Sequence, residues 1–134
     1  MLNALTIDLE DWYHPELVRP HLSSFDESMA QIELSTLPLL DLLHEQGVKA
    51  TFFVVGQVAQ CHPRLVELIA REGHELACHG MSHRPLWEMT PDEFRTELEE
   101  FAKVMSAIVP GANIAGFRAP TFSLDNRTRW ALDI

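Results

Sequence analysis

Apolar and polar positions along this chain fall into blocks whose period keeps changing. Residues 3–9 (NALTIDL) are a short β-rich run that ends in acid, the pattern of a buried strand delivering carboxylates at its C-terminal end. From about residue 32 to 46, Leu39, Leu40, Leu42 and Leu43 fall at helical spacing, and Gly47 stands at the C′ position. Pro38 leaves two readings of that helix: a short one capped at Thr36 or Leu37, or a longer one kinked at the proline. Residues 50–55 (ATFFVV) are a near-continuous apolar run, expected of a strand covered on both faces and ended by Gly56. Residues 63–72 (PRLVELIARE) form a second amphipathic helix between Pro63 and Gly73, and a third strand follows at about 74–78.

Thr90-Pro91-Asp92-Glu93 opens a third helix as a capping box, with proline at the first helical position. Phe94, Leu98, Phe101, Met105 and Ile108 recur at steps of three and four residues, a stripe that belongs to core packing. After Pro110-Gly111 the pattern gives a fourth strand at about 113–117, and Asp125 begins a fourth helix that is unfinished at Ile134. Residues 12–29 mix Pro15, Pro20, Ser23 and Ser24 with aromatics and have no period, so they read as a long loop. The rhythm is α/β, about four βα units, which right-handed crossovers build into a small open sheet or half a barrel.

The 134 residues are one domain's worth. With 10 basic and 20 acidic residues the net charge is −10, which argues against nucleic acid or an anionic membrane as main partner. Cys61 and Cys78 are the only cysteines and lack metal or disulfide-scaffold spacing, so a reducing compartment is expected. Cys78, at the end of an apolar run, reads as a small buried hydrophobe. No stretch has the apolar length of a membrane span, and Met1-Leu2-Asn3 leads straight into a strand pattern. As written, the chain reads as soluble and cytoplasmic.

Three polar clusters share one topological address. Asp8, Glu10 and Asp11 follow the first strand, His79 and His83 the third, and Arg118 the fourth. In parallel α/β folds these strand ends form the rim where ligands bind. Two imidazoles and one carboxylate make a three-ligand metal site with positions open for water and substrate. A second carboxylate can accept the proton of that water. Five further histidines, His14 among them, show no shared spacing and read as ordinary.

The sequences Thr6-Ile7-Asp8-Leu9-Glu10-Asp11-Trp12, Cys78-His79-Gly80-Met81-Ser82-His83 and Gly116-Phe117-Arg118-Ala119-Pro120 resemble the first three motifs of polysaccharide deacetylases, the NodB-homology domains of carbohydrate esterase family four. Gly47-Val48-Lys49-Ala50-Thr51-Phe52-Phe53-Val54 resembles that family's second strand. The resemblance implies a distorted (β/α) barrel that removes acetyl groups from an N-acetylated polysaccharide or oligosaccharide by attack of a water bound to a divalent metal, usually zinc. It implies Asp8 as catalytic base, Arg118 as the arginine that orients it, and His79 and His83 as metal ligands. The spread acids of Asp-Leu-Glu-Asp resemble the branch near peptidoglycan deacetylases and allantoinase-like amidases, and they leave Glu10 and Asp11 as alternatives for the third ligand. Trp12, Pro120 and Phe122 are the candidates for substrate contact.

The family's later motifs, with the histidine that acts as general acid, are expected beyond Ile134. Residues 1–134 then read as the N-terminal half of the catalytic domain, truncated at its C-terminus, with exposed half-barrel edges open to self-association. Family members act on cell-wall or exported polymers, which pulls towards the cell envelope. The rival readings are an allantoinase-like amidase of the same fold and a metal- or glycan-binding module without catalysis.

Overall fold

The computed structural model describes residues 3–22, 30–114 and 116–134. Three parallel strands, β1 (Thr6–Leu9), β2 (Thr51–Val54) and β3 (Glu75–Cys78), lie side by side in chain order. Their connections are helical: α1 (Ile32–Glu45) between β1 and β2, then α2 (Gly56–Cys61) and α3 (Pro63–Arg71) between β2 and β3, with α4 (Pro91–Ile108) after β3. This is the expected α/β architecture of successive βα units.

The register aligns Leu9, Val54 and Cys78 at the C-terminal ends of the strands. Leu9, Phe52, Val54, Leu76 and Cys78 are buried, in one core with Leu40 and Leu43 of α1, Val58 of α2, Val66 and Ile69 of α3, and Phe101 and Met105 of α4. Burying each such side chain contributes about 1.5–3 kcal/mol. Helix α1 runs through Pro38, so the longer-helix reading holds, and Gly47 follows with φ of 62°. The capping box at α4 is complete: Thr90 Oγ1 accepts from Glu93 N, and the Glu93 carboxylate accepts from Thr90 N.

Several expectations are corrected. The fourth strand is a single bridge between Cys78 and Phe117, where Cys78 N donates to Gly116 O at 2.8 Å and Arg118 N to Cys78 O at 2.9 Å. The segment after Asp125 is a turn and a 3-10 helix, Arg129–Asp133, in place of an α-helix. Gly56 begins α2 in addition to ending β2. Strand β2 is buried on one face and half-buried on the other, since Phe53 faces away from the helices. Part of the expected long loop is a 3-10 turn, Arg19–His21, while its residues 23–29, and residue 115 of the expected fourth strand, lie outside the described residues. No helix among the described residues is long and apolar enough to cross a membrane.

Candidate active site

Asp8 shares a row with Phe53 and Ala77, on the sheet face turned from the helix core. Arg118 is carried to it by the short pairing beside β3. Its Nη1 donates to Asp8 Oδ1 and its Nη2 to Thr6 Oγ1 at 2.8 Å, while the guanidinium carbon lies 3.9 Å from the centre of the Phe53 ring. Two hydrogen bonds and a stacking face thus aim this cation at one carboxylate.

The His79–His83 loop begins where β3 ends. Gly80 has φ of 79° and His83 has φ of 59°, two left-handed residues that turn the loop back on itself. His79 Nδ1 donates to Arg118 O at 2.8 Å, which fixes the tautomer and leaves Nε2 with its lone pair free. That Nε2 lies 3.8 Å from Asp8 Oδ2. His83 Nε2 sits 2.6 Å from Glu10 Oε2, yet the contact lacks hydrogen-bond geometry and Oε2 is buried without a hydrogen-bond partner. Donor atoms of Glu10, His79 and His83 all lie within 4.8 Å of one another. An orphaned carboxylate oxygen converging with two imidazole nitrogens fits a divalent cation of zinc's class.

The local electrostatics suit the same use. Burial works to raise the Glu10 pKa, but the close contact and charge of His83 and the charges of His79 and His14 outweigh it and hold the carboxyl below its ordinary value. Burial pushes His79 down, against the Arg118 carbonyl and Asp8, so its neutral, ligating form is favoured. Cys78, by contrast, is driven up to about 12 by burial, which makes it a packing residue, as its sequence setting indicates.

Asp11 is not in this cluster. Its Oδ2 accepts from Gln31 N at 2.8 Å and Ile32 N at 3.0 Å, and its Oδ1 from Trp12 N at 2.8 Å. It caps α1 from across the loop, with both oxygens committed, so the expectation of Asp11 as an alternative ligand is corrected. Asp8, Glu10, His79, His83 and Arg118 line a cleft of about 310 Å³. Phe122 stands on its lip, 98% exposed, held out by consecutive left-handed residues, Thr121 at φ 55° and Phe122 at φ 54°. Leu17 on the same cleft is 87% exposed. Trp12 is half-buried, edge-on to Tyr13, and is not among the cleft-lining residues. Pro120 is buried, near Gly80, so neither it nor Trp12 takes the expected place in the cleft.

Two residues at the site have no clear signal in the sequence. His14 is buried at 4% exposure, accepts at Nδ1 from Asp11 N at 2.9 Å, and packs its ring 5.9 Å from that of His83. Glu97 of α4 accepts from Met81 N at 2.8 Å and Ser82 N at 2.9 Å. His14 is one histidine among seven, and Glu97 is one acid on an acidic helix; only the tertiary fold distinguishes them.

A family model described as polysaccharide deacetylase matches residues 18–133. The peptidoglycan-N-acetylglucosamine deacetylase of Bacillus cereus is 33% identical over 100 residues, which are 73% of this chain and 36% of that protein. A solved structure from Mycobacterium smegmatis superposes with a TM-score of 0.76 at 32% identity, over 96% of this chain and 46% of that one. The CE4 domain of a multidomain xylanase from the hindgut metagenome of Trinervitermes trinervoides gives a TM-score of 0.71 at 27% identity, over 97% of this chain and 53% of that one. The chain therefore spans about half the length of these solved structures and about a third of the Bacillus cereus protein.

Proposed function

The chain belongs to the polysaccharide deacetylase family, and from that premise we propose that it carries the base and the cation ligands of a hydrolase that removes acetyl groups from an N-acetylated carbohydrate. The observation that supports this most is the convergence of Glu10, His79 and His83 within 4.8 Å, beside the Asp8–Arg118 pair, in a single cleft. In this reading residues 1–134 are the part of a larger catalytic domain that holds these groups, in keeping with their share of related chains. The open edge of the sheet, where β1 has no outer neighbour among the described strands, is then the edge that the rest of that domain covers, and a surface of self-association where the rest is missing.

Glu10, His79 and His83 would hold the cation. A divalent ion of zinc's class, when bound there, would supply Lewis acidity toward a water and the acetyl carbonyl. Asp8 takes a proton from the attacking water, and Arg118 keeps its carboxylate aimed by pairing with the other oxygen. Water oxygen bonds to the acetyl carbon, the C–N bond breaks, and acetate leaves while the sugar amine takes up a proton from a group outside these residues. His79 is fixed for its part by the Arg118 carbonyl. Phe122 and Leu17 offer apolar faces to a sugar ring, and their exposure on the lips fits an extended carbohydrate better than a small cyclic amide.

Zinc titration of the folded chain tests the reading. About one equivalent is expected per chain, with binding lost when His79→Ala is combined with His83→Ala. A folded wild-type chain that takes up no zinc, nickel, cobalt or manganese overturns it.

A further inference from the structure

The loop that carries both imidazoles is gripped from two sides, by helices that contribute no ligand. On one side the first residues of α2 donate backbone N–H groups: Gly56 N to Gly80 O and Gln57 N to Met81 O, each at 2.9 Å. On the other, Glu97 of α4 accepts three times. Its Oε2 takes Met81 N at 2.8 Å and Ser82 N at 2.9 Å, and its Oε1 takes the Ser82 hydroxyl at 2.5 Å. The middle of His79-Gly80-Met81-Ser82-His83 thus has its backbone donors at Met81 and Ser82 bound by one carboxylate. Charge-assisted hydrogen bonds of this kind are stronger than neutral ones.

We propose that Glu97 is a positioning residue of the candidate cation site: it holds the backbone of the His79–His83 loop in the left-handed shape that brings the two imidazoles together. The assignment rests on the cation reading for its functional consequence, and on the three hydrogen bonds for its structural content. His83 sits in a conformation, φ of 59°, that a non-glycine residue rarely adopts. A loop free to relax would leave that region and swing the His83 ring away from Glu10. Glu97 lies half-buried against the loop and prevents this through hydrogen bonds to Met81 and Ser82 rather than to either imidazole. Helix α4 is fixed in turn by its capping box and by Phe94, Phe101 and Met105 in the core. Metal-site partners of this outer kind typically change affinity by about 10–100-fold.

The test pairs amide hydrogen exchange of the zinc-free chain with zinc titration, for wild type, Glu97→Ala and Glu97→Gln. In Glu97→Ala the Met81 and Ser82 amides should exchange at least about tenfold faster while amides of α4 in the core stay protected, and zinc affinity should fall by about 10–100-fold. Glu97→Gln keeps an oxygen acceptor for the two N–H groups and an amide donor for the Ser82 oxygen, so it should restore most of both properties. Unchanged protection at Met81 and Ser82 in Glu97→Ala overturns the proposal, as does zinc affinity equal to wild type. An equal loss in Glu97→Gln also overturns it, since charge rather than hydrogen-bond geometry would then be responsible. Should the wild-type chain bind no zinc, the cation reading fails by itself, and the exchange rates still decide whether Glu97 shapes the loop.

Discussion

Two neighbouring carboxylates part company at the end of β1. Glu10 continues the alternation that points Asp8 off the sheet and meets His83, whereas Asp11 turns into the loop and spends both oxygens on backbone N–H groups. Different losses follow. Glu10→Gln should weaken zinc binding by at least about tenfold with little change in stability. Asp11→Ala should leave affinity within a few-fold but cost about 1–3 kcal/mol, because the α1 N-terminus loses its cap and buried N–H groups lose their acceptor. Zinc titration beside urea unfolding separates the two, and a larger affinity loss in Asp11→Ala than in Glu10→Gln would reverse the assignment. At Asp8 the expected signature is different again. Asp8→Asn should retain zinc while acetate release from N-acetylglucosamine oligomers, measured in the larger catalytic domain proposed for this chain, drops by about 100–10,000-fold. Retained turnover would remove Asp8 as base.

At the scale of elements, the legible features carry their own local chemistry. Helix α4 is announced by Thr90, Pro91 and Glu93, and α3 by Pro63 and Gly73, because caps and proline act through neighbours in sequence. Helix α2 is not legible in the same way: Gly56 reads as a strand terminator, and Gln57 to Cys61 is too short to show a period. Its place is tertiary, since a Cβ on Gly56 would lie 2.2 Å from Met81 Sδ and 3.0 Å from Met81 Cα. The expected fourth strand is reduced to the single Cys78–Phe117 bridge, because the chain turns away at Pro120 into a 3-10 turn. The histidine spacing in His79-Gly80-Met81-Ser82-His83 is readable, but which of Glu10 and Asp11 meets those imidazoles depends on a turn that only the fold defines. These contrasts predict that Thr90→Ala costs about 1 kcal/mol with zinc affinity unchanged. Gly56→Ala, which forces α2 and the loop apart, should lower both stability, by about 1–3 kcal/mol, and zinc affinity. Calorimetric melting and zinc titration of the two variants check this, and unaltered affinity in Gly56→Ala would uncouple α2 from the site.

The whole molecule concentrates neutral imidazoles in its interior. Burial lowers the pKa of His14, His74 and His79 below their ordinary 6.5. At His74 the Ala50 backbone N–H donates to Nδ1 at 3.2 Å, which requires that nitrogen to be unprotonated, and at His14 the Asp11 N–H lies 2.9 Å from Nδ1. Unfolding frees all three to charge. The unfolded chain therefore binds more protons as pH falls, and the stability these groups contribute is complete above about pH 6.5 and lost progressively below it. Each group can add a slope of up to about 1.4 kcal/mol per pH unit. The net charge of −10 works the other way, since protonating carboxylates relieves self-repulsion. Ordinary carboxylates titrate near pH 4, however, so between about pH 7 and 5.5 the imidazoles dominate. Urea midpoints of the chelator-treated chain should fall across that interval. His74→Asn keeps an acceptor for Ala50 N but no titrating group, so it should flatten the fall while zinc affinity at pH 7.5 or so stays at the wild-type value, because His74 lies outside the cleft. Midpoints that hold steady or rise on acidification would show that charge relief outweighs the buried imidazoles.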